Sequence, residues 1–106
     1  MIARVWHGVV PAAKADAYYE FLLRSGIPDY RATEGNRGVH VYRRREGGES
    51  HFLLTSFWES EDAIRRFAGD DIRRARYYPE DKDFLLEFEP QVTHYEVLLG
   101  PEEAAG

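Results

Sequence analysis

A chain of 106 residues without cysteine must do any chemistry with other side chains; here the candidates are four histidines, seven tyrosines and two tryptophans. His7, His40 and His94 each fall in the body of a different predicted strand, and His51 opens one of them. No two have the i, i+4 or short-loop spacing of a zinc site, so no metal centre is expected. Imidazole titrates near neutrality and is the most versatile general base among side chains. A strand histidine that projects into a pocket can therefore take the proton of a phenol, which makes His7, His40 and His94 the candidate catalytic residues. The alternative, that each is hydrogen-bonded inside the core or an interface, stays open at this point.

Tyr77 and Tyr78, followed by Pro79, form an aromatic corner that suits the rim of a pocket for a flat, apolar ligand with one polar end. Arg76 adjoins that corner, where a guanidinium can hold a carboxylate or a phenolate. Tyr18, on a helical stripe, reads as core. The arginine groups at 43–45, 65–66 and 73–74 read as solvated faces paired with nearby acids. No glycine-rich phosphate loop, dinucleotide fingerprint or nucleophile elbow is present, and no cofactor is expected.

The elements that must position these groups follow from periodicity. Ile2 to Val9 alternates as a strand, with bulky residues on both faces. Pro11 suits a first helical turn, and Ala12 to Ser25 places Ala15, Tyr18, Tyr19, Leu22 and Leu23 at helical intervals, with Gly26 as the stop. Ile27 to Gly38 is rich in turn formers and reads as a loop. Val39 to Arg45 and His51 to Trp58 read as strands joined at Gly47-Gly48. A tight turn there sets Arg44 opposite His51, Tyr42 opposite Leu53 and His40 opposite Thr55 on one face. On the other face it sets Arg43 opposite Phe52, Val41 opposite Leu54 and Val39 opposite Ser56. Ser60 can cap a second helix whose buried stripe is Ala63, Ile64, Phe67 and Ala68. Asp70 to Tyr77 reads as further helical turns, Glu80 to Glu89 as a docked loop or short helix, and Gln91 to Leu99 as the last strand. Residues 1–100 make one domain, and 101–106 read as a flexible tail.

The order β-α-β-β-α-β is the ferredoxin-like α+β arrangement: a four-stranded antiparallel sheet with helices on one face. The other face still carries apolar and aromatic residues, more than a monomer leaves wet, so a symmetric homodimer through that sheet face is expected. Apolar residues make up 43% of the chain, enough for a core, and the net charge of −5 disfavours nucleic acid and anionic membranes as partners. No apolar run reaches the ~18 residues of a membrane helix, and the opening residues lack a signal-peptide core. A cytoplasmic protein is the expectation.

The passage Phe57-Trp58-Glu59-Ser60-Glu61-Asp62-Ala63-Ile64, followed by Phe67, resembles the tryptophan-led strand-to-helix passage of the antibiotic biosynthesis monooxygenase (ABM) family of dimeric α+β barrels. The opening strand, the glycine-containing loop before the second strand and the closing His94-Tyr95-Glu96-Val97 are similar in position. The likeness covers roughly residues 2 to 99. It implies a pocket between sheet and helices, with Trp58 and Phe67 joining Arg76, Tyr77 and Tyr78 as candidate substrate-binding residues. Members of the family include cofactor-free monooxygenases of polycyclic phenols and haem-degrading enzymes. The monooxygenase pattern places asparagine, tyrosine and arginine where this chain has Leu54, Ile64 and Tyr78, with Arg76 two residues before the last. The haem branch places a ligand histidine where this chain has Arg76-Tyr77, leaving Tyr77 as the only potential iron ligand there.

The resemblance thus implies a cofactor-independent monooxygenase-like enzyme acting on a small aromatic compound of phenol or quinone type. The alternatives are a non-catalytic dimeric small-ligand-binding or stress-related accessory protein, and a haem-handling, isomerase or cyclase relative on the same barrel.

Overall fold

The computed structural model describes residues 1–100; the tail expected at 101–106 lies outside them. Strand β1 (Ile2–Pro11) leads through a 3-10 turn (Ala12–Lys14) into α1 (Ala15–Arg24) and α2 (Gly26–Ala32). The hairpin of β2 (Asn36–Glu46) and β3 (Glu49–Trp58) follows, then α3 (Glu61–Ala68), a second 3-10 turn (Pro79–Asp83) and β4 (Thr93–Glu96). The sheet is antiparallel throughout, in the order β2-β3-β1-β4. This is the expected ferredoxin-like topology.

The hairpin register is the one a two-residue turn dictates. Arg44 faces His51, Tyr42 faces Leu53 and His40 faces Thr55, while Val41 faces Leu54. Gly47 has φ +60, a conformation that glycine adopts without strain. Through β1 the same register divides the sheet into two faces. Trp6, Leu54 and Val41 lie on the helix side; His7, Leu53 and Tyr42 lie on the free side.

Residues on the helix side make the core. Trp58 and Ile64 are fully enclosed, and Tyr18, Phe21, Leu22, Ile27, Tyr30, Phe52 and Phe67 pack around them. Ser60 caps α3 as expected, its Oγ accepting from the Ala63 amide at 3.2 Å. Gly35 is pressed against α3 at Ala63, with φ +92, so a side chain there would meet both strain and overlap.

Five expectations need correction. The stretch from Gly26 to Ala32 is a helix, not a loop: Pro28 sits in its first turn, where a missing N–H leaves no bond unmade. Pro11 closes β1 instead of opening a helix. Tyr19 and Leu23 are exposed, and Phe21 takes their place in the buried stripe of α1. Residues 70–77 are not helical. They form an irregular strap pinned to the end of the chain, with Val92 N–H donating to the Arg73 carbonyl at 2.8 Å and Ala75 N–H to that of Pro90 at 3.0 Å. Because the strap takes up Gln91 as an isolated bridge to Arg74, β4 is shorter than the expected Gln91–Leu99.

Among the described residues no helix is long and apolar enough to cross a membrane.

Candidate functional site on the helix side of the sheet

Helices α1 and α2, the strap and the second 3-10 turn enclose a small hollow above β1 and β3. Its walls are Trp6 and Leu54 from the sheet, Tyr18, Leu22, Gly26 and Tyr30 from the helices, and Phe67, Arg76, Tyr78 and Asp81 beyond them. Its volume is about 20 Å³, room for a water molecule and little more.

Two phenol–carboxylate pairs stand at this wall. Tyr18 Oη donates to Asp81 Oδ1 at 3.2 Å, and the Tyr78 amide donates to Asp81 Oδ2 at 2.7 Å. Asp81 is 3% exposed. Burial lifts its carboxyl above the ordinary range, against the opposing pull of the two hydrogen bonds. The Tyr78 hydroxyl donates to Asp29 Oδ2, which also receives Arg76 Nη2 at 3.3 Å. Burial and the adjacent carboxylates push both phenols up, so each stays a hydrogen-bond donor at neutral pH. Arg76 also lies over the Phe67 ring, 4.7 Å from its centroid, and Phe67 stacks on Tyr30 at 4.4 Å.

Of the candidate binding residues, Phe67, Arg76 and Tyr78 line this hollow. Trp58 stands behind it, 5.7 Å from Phe67 and 6.3 Å from Tyr30 between centroids, its Nε1 donating to Ser56 Oγ at 2.8 Å. Tyr77 turns toward Trp6 and Phe88, and its hydroxyl donates to the Glu89 carbonyl at 2.5 Å.

The three candidate histidines do not converge. His94, opposite Arg4 in the β1–β4 pairing, is on the helix side; burial, then the nearby Arg4 charge, holds its imidazole below the ordinary histidine range. His40 is on the free face, bonded to Tyr42 Oη at 2.9 Å. His7 is also on the free face and joins a chain that includes the remaining histidine. Its Nδ1 lies 2.5 Å from Glu89 Oε2 and its Nε2 lies 2.9 Å from His51 Nδ1, with the two rings stacked 5.2 Å apart.

Sequence reasoning missed Asp81, Asp29 and Tyr30. Asp81 follows Tyr78-Pro79 at the spacing of a capping residue, a signal available in the sequence. Asp29 and Tyr30 were hidden by reading their helix as a loop.

Comparison with known proteins bears on this arrangement. The sequence profile described as "Antibiotic biosynthesis monooxygenase" matches residues 4–75. The chain belongs to the ABM family.

Solved structures of the same fold span the whole domain. A Nitrosomonas europaea protein whose name places it among the antibiotic biosynthesis monooxygenases is 16% identical, with a TM-score of 0.67, over 93% of this chain and 100% of its own. Rv0793 of Mycobacterium tuberculosis is 21% identical, with a TM-score of 0.58, over 95% and 99%. The M. tuberculosis haem degrader MhuD, solved with two haems in its active site, is 19% identical, with a TM-score of 0.62, over 94% and 98%. At these identities the likeness establishes the ABM fold alone. No curated protein matches the chain.

Proposed function

We propose that this ABM protein is a cofactor-independent monooxygenase of a small hydroxylated aromatic compound, bound where the helix-side hollow opens. The observation that carries this reading is the Tyr18–Asp81 pair. A buried carboxyl with a raised proton affinity stands at an aromatic-walled site, as a general base for a phenol requires. Asp81 takes the phenolic proton, and the resulting electron-rich ring reacts with dioxygen. In that step a ring C–H is oxidised to a carbonyl, one oxygen atom stays on carbon and the other leaves as water. Arg76 and Tyr78 orient the ring edge, and the aromatic walls exclude water. His94 is the second candidate base, since it alone of the three proposed histidines faces the helices.

Haem chemistry fits these residues poorly. No histidine lines the hollow, and the Tyr18 and Tyr78 hydroxyls are engaged by carboxylates. Tyr77, the one potential iron ligand suggested by position, is turned away and bonded to a backbone carbonyl, with its phenol pushed up to about 12, chiefly by burial.

Oxygen uptake and product analysis over a panel of phenols and hydroxylated aromatic acids test the reading. Turnover above the protein-free rate is expected for at least one class. The presence of Leu54, Ile64 and Tyr78 where the family's monooxygenase pattern has asparagine, tyrosine and arginine favours the second reading, a binding module. Ligand binding with no oxygen consumed would establish it in place of the first.

A second copy of the chain is the proposed partner, seated on the free sheet face. Tyr42, Leu53 and Tyr95 are 52%, 37% and 58% exposed there, beside Val5 and Phe57. Leu53→Glu places a charge at the middle of that face without touching the core. Light scattering is expected to show a dimer for the parent and a monomer for the variant at the same concentration. A parent that is already monomeric at micromolar concentration overturns the assembly.

A further inference from the structure

Arg4 is the most deeply buried charge among the described residues. It lies on the helix side of β1, 1% exposed, and has no ion-pair partner among the described residues. Its Nη2 donates to the Arg74 carbonyl of the strap at 2.9 Å, and the guanidinium also meets the Tyr30 hydroxyl, a neutral partner that supplies no counter-charge. Its Nε is sealed from solvent with no acceptor. Directly across the β1–β4 pairing, His94 Nε2 is likewise enclosed with no partner. A second cation, Arg76, is near enough to be felt at Arg4, whereas the one acid felt at His94, Glu61, is already paired with Arg65.

Burying a guanidinium without a counterion is strongly unfavourable, because desolvation is not repaid by attraction. A water molecule can satisfy the Nε–H but leaves the charge uncompensated. An anion does both. Arginine and a neutral imidazole offer N–H donors of the kind a planar carboxylate accepts.

We infer that Arg4 and His94 form the anchor for the carboxylate of an aromatic acid. The inference rests on the reading of the hollow as the ligand site and adds the class of ligand to it. Two walls of the hollow touch the anchor: Phe67 lies under the Arg4 guanidinium at 5.5 Å, and the Tyr30 phenol is buried beside it. A ligand carrying a carboxylate and a phenol places the first at Arg4 and the second toward Asp81. The strap must yield to admit it, and the Arg4–Arg74 hydrogen bond is the contact the carboxylate replaces.

The test uses the intact protein and three probes: benzoate, its neutral counterpart benzyl alcohol, and acetate. Binding is followed by the Arg4 Nε–H and His94 ring signals in NMR and by calorimetry. Benzoate is expected to bind roughly 10- to 100-fold more tightly than benzyl alcohol, the range of a hydrogen bond to a charged group. It should shift the Arg4 Nε–H signal and raise the midpoint of the His94 titration. In Arg4→Met the preference should shrink to within about threefold while benzyl alcohol still binds.

Equal binding of benzoate and benzyl alcohol by the parent, with no change at Arg4, overturns the anchor and leaves the hollow as a ligand site. Acetate perturbing Arg4 when neither aromatic binds supports the anion anchor with a free anion as its source, and overturns the hollow instead. Silence at Arg4 with all three probes overturns the inference. If Arg4→Met fails to fold, the parent's probe series decides the question alone.

Discussion

Asp81→Asn is expected to lower the rate of oxygen uptake by about 10²- to 10⁴-fold, the usual contribution of a general base. Asparagine is nearly isosteric and still accepts a hydrogen bond through its carbonyl oxygen, so the fold around the second 3-10 turn should persist. The pH dependence provides a separate check. Burial lifts the Asp81 carboxyl above its ordinary range. The base must be ionised to act, so the parent's rate should climb with pH through that raised value. The rising limb should be missing from the residual activity of Asp81→Asn.

Stability runs the opposite way. A carboxyl that holds its proton more tightly when folded favours the folded state at low pH. That advantage is lost as pH rises from the ordinary carboxylate value through the raised one. Urea midpoints measured across that window should fall for the parent and stay flatter for the variant. An unchanged rate in Asp81→Asn would remove Asp81 from the mechanism, and an intact rate in His94→Gln alongside it would remove both bases.

The second large effect is on folding. Trp58→Ala should destabilise the domain by about 3–5 kcal/mol, the usual range for deleting a buried large aromatic. The indole is fully enclosed against Tyr30 and Phe67, and its loss also leaves Ser56 Oγ without the Nε1–H donor. Domains of this size have total stabilities of roughly 5–15 kcal/mol, so the variant should be partly unfolded at ambient temperature or close to it. Denaturant unfolding followed by circular dichroism measures the change.

Trp58→Phe separates packing from binding. It keeps most of the ring and loses the N–H, and since the indole stands behind the hollow, ligand affinity should change by less than about threefold. A large loss of affinity with little loss of stability would instead make Trp58 a ligand contact.

The sheet was legible in the sequence because each strand's alternation and the Gly47-Gly48 turn constrain one another. A slip of one residue would have sent Leu54 and Phe52 to the free face, and the observed register places both in the core. Helix α2 was illegible because Gly26 and Pro28 signal a stop in one context and a first turn in another. The choice between these is made by tertiary burial of Ile27 and Tyr30. The strap illustrates the same limit. Its arginines favour helix locally, but backbone bonds to residues 15 to 19 positions ahead hold it out of that conformation. The candidate site divides along these lines. Phe67, Arg76 and Tyr78 came from local pattern and family resemblance. Asp29, Tyr30 and Arg4 depend on which elements meet across the sheet, information that local patterning does not carry.

The outer strand β2 closes one margin of the sheet, and its unpaired backbone edge invites further strands to add laterally. Arg43, Arg44 and Arg45 stand in succession along that rim, and all three are exposed. Arg43 is paired with Asp16 and Arg44 with Glu46, so an added strand would have to strip water from a row of charged side chains, which guards the rim against aggregation. Growth into ribbons is thereby discouraged.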